Sequence, residues 1–136
     1  MIPRTLLVAA SPFGPELDAE RVGEAIARGL RAAGRSADAC PLEEDTKLDA
    51  LGFDARMRAA RAVVIAEPAL REQTLAGSLA FEIATRARQG GVPAYAITGE
   101  NLLDSFDARI LDLQTILEAR THRALTAAGR KLAKLL

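Results

Sequence analysis

The residues best suited to hold an anion lie in the stretch "EQTLAGS" (72–78). Gln73, Thr74 and the backbone N–H groups that follow, through Gly77 and Ser78, would form the amino end of a helix. Such an end attracts carboxylate or phosphate groups without needing a lysine. The alternative is that Thr74 serves only as the helix cap, since threonine is a common capping residue. We therefore predict a candidate ligand site here, with the capping role left open.

A second candidate position is the loop that follows the first apolar run, in "LLVAASPFGPELDAER" (6–21). Loops in this place bind ligands in open α/β sheets, and glycines, a lysine or a serine would be expected to hold phosphate. After Ser11 the loop instead reads Pro12, Phe13, Gly14, Pro15 and Glu16. Ser11 and Glu67, each at the end of an apolar run, complete our candidate ligand-binding residues.

The other reactive side chains do not form a recognisable site. His122 has no serine, cysteine or carboxylate partner at a motif spacing, which favours a surface role. Three consecutive carboxylates, at 43–45, rarely converge on one ion, so a solvated loop is favoured over a Mg²⁺ site. Cys40 is the only cysteine and is expected to be a buried apolar residue. No metal site is predicted.

Composition limits the class of protein. The 136 residues fit one domain, spanning 1–136. The chain carries 18 basic and 18 acidic side chains, a balance that argues against a nucleic-acid or anionic-lipid partner. It contains no apolar run of about 18 residues and no signal-peptide pattern at its start. With a single cysteine, which fits a reducing compartment, we expect a cytoplasmic protein without a membrane partner.

Five apolar runs predict buried strands, at 5–10, 36–41, 62–67, 92–98 and 111–117. Helical patterns lie between them, with Asp18, Thr74 and Thr121 as candidate caps. Right-handed crossovers then predict an α/β, three-layer flavodoxin/Rossmann-like fold, with a five-stranded parallel sheet in the order 2-1-3-4-5 and helices on both faces. That order predicts a ligand crevice between strands one and three, lined by residues 11–17, 67–74 and 98–104.

Two long segments of the sequence resemble the Rossmann-like domain of the bacterial two-domain glycerate kinases. The most specific parts of this resemblance are "EQTLAG" (72–77) and "FDARILDLQ" (106–114), and it extends over nearly the whole chain. The resemblance implies that the family's long inserted second domain is absent here. The two pieces of the first domain meet directly, and we place the junction near residues 43–51.

The match to the family fails in the three loops that would bind ligands. The family's Asp-Ser-Phe-Lys-Gly-Ser-Leu aligns with residues 11–17, so that Gly14 replaces the lysine and Glu16 the following serine. The family's glycine-rich turn after strand two is replaced by "EEDTKLDA" (43–50). After strand three, Glu67 and Thr74 match the family pattern, but Pro68 stands where the family has glycine. The resemblance therefore implies that no catalytic residue remains.

Three functions stay open on this resemblance. The first, which we favour, is a degenerate, non-catalytic glycerate-kinase-like domain that acts as a binding or assembly module and needs no cofactor. The second is a glycerate kinase that works with a second domain supplied in trans, in which case ATP and Mg²⁺ would be required. The third is a sensor that binds a small carboxylate or phosphate ligand.

Loss of the inserted domain predicts a homodimer, because apolar surface once covered by that domain would be exposed. The candidates for such a patch share a position near the altered loops: Phe13, Leu17, Leu48, Leu51 and Leu70. The alternative is that Phe13 and Leu70 fold inward and fill the crevice, which would leave a monomer.

Overall fold

A computed structural model describes residues 5–43, 45–72 and 77–136, and it confirms the predicted sheet. The strands are β1 (Thr5–Ala10), β2 (Ser36–Pro41), β3 (Ala62–Glu67), β4 (Ala94–Thr98) and β5 (Leu113–Glu118). All neighbouring strands pair in parallel, in the order β2-β1-β3-β4-β5. The last two strands begin two residues later than predicted. In the first case the N–H of Val92 bonds to Ala87 at a helix end, and in the second Leu111 is still helical.

The helices alternate with the strands: α1 (Ala19–Ala32), α2 (Phe53–Arg58), α3 (Leu79–Gly90), α4 (Ser105–Leu111) and α5 (His122–Leu135), with a 3₁₀ turn at Leu48–Leu51. The predicted caps at Asp18 and Thr121 are confirmed, since each side chain accepts a hydrogen bond from an N–H of the first turn. Thr74 lies outside the described residues, and α3 is capped by Ser78. Within the described ranges, none of these helices is long and apolar enough to cross a bilayer.

The sheet lies between two helical layers. On one face α1 and α5 cover Leu6 and Val8 of β1, and on the other α2 and α3 cover Leu7 of the same strand and Ile65 of β3. Because β1 and β3 are buried on both faces, their sequences are continuously apolar rather than alternating.

Helices α1 and α5 cross closely because each has a glycine at the contact. A Cβ atom at Gly29 would overlap the carbonyl oxygen of Thr126, and one at Gly129 would overlap that of Ile26. Because α1 and α5 each follow a strand of the same parallel sheet, their amino ends lie on the same side of the molecule, next to the loop that follows β1.

The apolar residues predicted to form an exposed patch are largely covered, so that prediction is wrong in its location. Leu70 is only 2% exposed and Leu48 is also buried. Leu70 is fixed by backbone hydrogen bonds to Glu100 and Leu102, and Leu48 opens the 3₁₀ turn against the core. Phe13 and Leu17 are half-buried against the core that α1 and α5 share, and of the five only Leu51 is exposed.

Candidate functional site

The predicted crevice lies at the carboxyl ends of β1 and β3. These strands are neighbours in the sheet, but the helices α1 and α3 that follow them pack on opposite faces. A gap must therefore open between the two outgoing chains. Ser11 and Glu67 lie at its base, where the N–H of Ser11 donates to the carbonyl oxygen of Ala66 at 3.0 Å. The Ser11 hydroxyl donates to Oε1 of Glu67 at 3.1 Å.

Four of the six predicted ligand-binding residues line one cavity of about 630 Å³ in this crevice: Ser11, Glu67, Gly77 and Ser78. Gln73 and Thr74, the other two, lie outside the described residues. Ser78 caps α3, because its Oγ accepts a hydrogen bond from the N–H of Phe81 at 3.1 Å. The fold thus brings Ser11 next to residues that are 56 or more positions further along the chain.

The crevice carries negative charge. Glu67 at its base is joined in the lining by Glu43 and Glu82, while no lysine or arginine belongs to the described part of that lining. Burial raises the pKa of Glu67, and the hydrogen bond from Ser11 opposes that rise only in part. Within the described ranges, no three His, Cys, Asp or Glu side chains are grouped so that they could hold a metal ion. The arrangement therefore disfavours a phosphate group at this place.

Glu82 and Thr46 also line the crevice, although the sequence did not predict either as a site residue. Glu82 lies in the first turn of α3, four residues after the cap Ser78, so a correct helix start would have placed it here. Thr46 is fixed by a hydrogen bond of 2.7 Å from the N–H of Glu43 to its hydroxyl. The position of Thr46 depends on the turn after β2, and no sequence pattern predicted the shape of that turn.

All three predicted crevice walls differ from expectation. Of the described part of 67–74, only Glu67 and Pro68 line the crevice, while residues 69–71 line an adjacent cavity. Of residues 11–17, only Ser11 and Pro12 belong to the crevice lining, while residues 13–17 turn back on themselves and line a different cavity. The turn is closed by a hydrogen bond of 2.8 Å from the N–H of Phe13 to the carbonyl oxygen of Leu17. Residues 98–104 are not in the lining either, because the backbone near Glu100 pairs with Leu70.

A parallel sheet in this order, with a crevice where its first and third strands end, defines a Rossmann-like α/β domain. The model of the glycerate kinase family matches residues 43–135, which is more than half of the chain, and the chain belongs to that family. The matched region begins at Glu43, two residues after the end of β2. No curated protein matches the sequence.

Solved structures share the fold at low sequence identity. A protein of Burkholderia pseudomallei described as pilus assembly-related is 20% identical, with 97% of this chain and 90% of that chain covered and a TM-score of 0.57. The diflavin flavoprotein A3 of Nostoc sp. is 16% identical, with 99% and 94% covered and a TM-score of 0.57. A de novo designed Rossmann 2x3 fold protein is 11% identical, with 98% and 90% covered and a TM-score of 0.54. These similarities concern the fold alone.

Proposed function

We propose that this chain is a glycerate-kinase-family domain that does not transfer phosphate and acts as a binding or assembly module. The observation that carries the proposal is the charge of the crevice. Its described lining contains Glu43, Glu67 and Glu82 but no lysine or arginine, although Glu82 pairs with Arg86 of α3 outside the lining, at 2.7 Å. Phosphoryl transfer depends on positive charge placed around the moving phosphate, and carboxylates at that position oppose it.

The first loop supports the same proposal. Gly14, which aligns with the lysine of the family, has a φ angle of +146°, a conformation that side-chain-bearing residues rarely adopt. The tight turn from Gly14 to Leu17 holds this geometry through backbone hydrogen bonds at both ends. A lysine at this position would be strained, so the turn has a shape that suits glycine rather than a phosphate-binding side chain.

We also propose that the whole chain is one domain, with the family's inserted domain lost near residues 43–51. The segment after β2 packs directly on the rest of the molecule instead of leading away from it. Leu48 is buried in the core, and Oδ1 of Asp49 accepts a hydrogen bond of 2.9 Å from Arg86 of α3. Such contacts support a short, closed connection at this position.

A coupled assay with D-glycerate, ATP and Mg²⁺ tests the lack of kinase activity. We expect product formation no faster than with heat-denatured protein, while a two-domain glycerate kinase serves as the positive control. Turnover proportional to the concentration of this chain, and lowered by Ser11→Ala, would contradict the proposal. Turnover that Ser11→Ala leaves unchanged would be traced to a contaminant by repeating the assay after a second purification.

An assembly role is supported by exposed apolar residues around α4. Phe106 is 68% exposed, and Leu102 and Ile110, four residues before and after it, are exposed as well. Positions four apart lie on the same side of a helix, so Phe106 and Ile110 present one apolar surface. We propose that the homodimer forms through this α4 surface (Leu102, Phe106 and Ile110) rather than through the loops near the crevice.

A further inference from the structure

A second cavity, of about 790 Å³, lies on the other side of the first loop from the crevice. Its floor is apolar, since Phe13 and Leu17 of the loop pack on the core shared by α1 and α5. Its rim carries Arg21 of α1, together with Arg120 and His122 at the start of α5. The volume falls within the range of small-molecule sites, about 300–1,000 Å³. Residues 13–17 of the loop after β1 thus belong to a cavity distinct from the Ser11–Glu67 crevice.

The two arginines at this cavity have no anionic partner among the residues that the structure describes. Nε of Arg120 donates to the carbonyl oxygen of Gly99 at 2.7 Å, and Nη1 of Arg21 donates to that of Glu16 at 3.4 Å. Neither guanidinium forms an ion pair with a carboxylate of the described residues. Each keeps further N–H donors for a ligand, because a guanidinium has five. The hydrogen bond to Gly99 also fixes the stem of Arg120 at the rim.

We propose that this cavity binds a small phosphate monoester with a flat apolar body. Arg21 and Arg120 would hold the phosphate oxygens, for which the planar donors of guanidinium are well matched. Phe13 and Leu17 would pack against the apolar body, as apolar floors do in most small-molecule sites. Glu16 also lines the cavity and is the one carboxylate among the described residues of its lining, so it opposes the anion and limits the affinity.

The test is a titration of the full chain with phenyl phosphate, in which the backbone amide NMR signals report binding. We expect saturable shifts at residues 120–122 and at the residues of 13–17 other than Pro15, which has no amide proton. Arg21→Gln and Arg120→Gln should each weaken binding about tenfold, which corresponds to one charge-assisted hydrogen bond. Arg130→Gln, on the exposed surface of α5 and away from the lining, should leave the affinity unchanged. Glu16→Gln should strengthen binding, because it removes the opposing charge.

Three results would overturn the proposal. Shifts that do not saturate, or that spread away from residues 13–17, would show that the cavity is not a site. Equal losses in Arg21→Gln and Arg130→Gln would indicate a general charge effect. Inorganic phosphate or benzoate binding as tightly as phenyl phosphate would exclude the combined phosphate and apolar recognition. Since Arg21 is exposed and makes only a weak backbone contact, its variant should fold even if Arg120→Gln does not. Binding is measured without a kinase reaction, so its result is independent of the activity assay.

Discussion

The hydroxyl of Ser11 donates a hydrogen bond of 3.1 Å to Oε1 of Glu67, and this contact joins the ends of β1 and β3 at the base of the crevice. Ser11 is buried and Glu67 is mostly so. The carboxylate is thus held in a place where water solvates it poorly and where a single hydroxyl compensates for that loss. The charged form of Glu67 therefore lowers the stability of the fold.

We expect Glu67→Gln to stabilise the protein at neutral pH. Burial raises the pKa of Glu67 above its ordinary value of 4.5. The stability that the protonated carboxyl group provides is therefore fully present below pH 4.5, and it is lost as the pH rises through the raised pKa of the folded state. Glutamine stays neutral and its side-chain oxygen can still accept from Ser11. Urea unfolding should show a gain at pH 7 that shrinks towards pH 4. The exposed Glu20→Gln is the control, and the same gain at both pH values would refute the prediction.

Gly129→Ala should lower the free energy of unfolding by about 1–3 kcal/mol, as expected for overpacking. The added Cβ would overlap the carbonyl oxygen of Ile26 and push α5 away from α1. Gly23→Ala, also within a helix, is the matched control, because its Cβ would lie 3.5 Å from the Cβ atoms of Ala10 and Ala39. That contact is an ordinary one, so Gly23→Ala should stabilise by about 0.5–1 kcal/mol through helix propensity. Thermal unfolding measures both, and losses of equal size would contradict the close crossing.

Arg86→Gln should destabilise the protein by about 1 kcal/mol and do so less at high salt. The side chain of Arg86 is 21% exposed, and its guanidinium donates to Asp49, Asp54 and Glu82 at 2.9, 3.0 and 2.7 Å. Burial acts to lower the pKa of Arg86, but these three hydrogen bonds outweigh it and keep the group charged. Arg58→Gln, at an exposed arginine, is the control for unfolding in low and 1 M salt. A loss that does not change with salt would indicate packing rather than charge.

Phe106→Glu should convert a homodimer into a monomer, since it places a charge in the centre of the proposed α4 surface. Light scattering at micromolar concentration should give the mass of two chains for the original protein and of one chain for the variant. Leu135→Glu changes an exposed leucine elsewhere, at the end of α5, and should leave the dimer intact. A mass of one chain for the original protein would end the proposal.

The order of the sheet followed from the sequence because it rests on local and repetitive signals. Continuous apolar runs such as 62–67 mark strands that are buried on both faces, and caps such as Asp18 and Thr121 mark helix starts. The alternation of these elements, with right-handed crossovers, leaves few possible topologies. The family motifs around 106–114 added the relationship that the family match confirms. These features depend on residues close together in the chain.

The surfaces around the sheet were decided only by tertiary structure. Leu70 was expected at an exposed patch, but the pairing of its backbone with Glu100 and Leu102 turns the loop inward. Residues 13–17 were expected in the crevice, but Phe13 and Leu17 find apolar contacts with α1 and α5 instead. In each case at least one partner lies far away in the chain, namely the loop around Glu100 for Leu70 and helix α5 for Phe13 and Leu17. No local sequence pattern identifies such a partner. The sequence by itself therefore determined the sheet and the place of the crevice, whereas the packing of loops on remote helices decided what lines it.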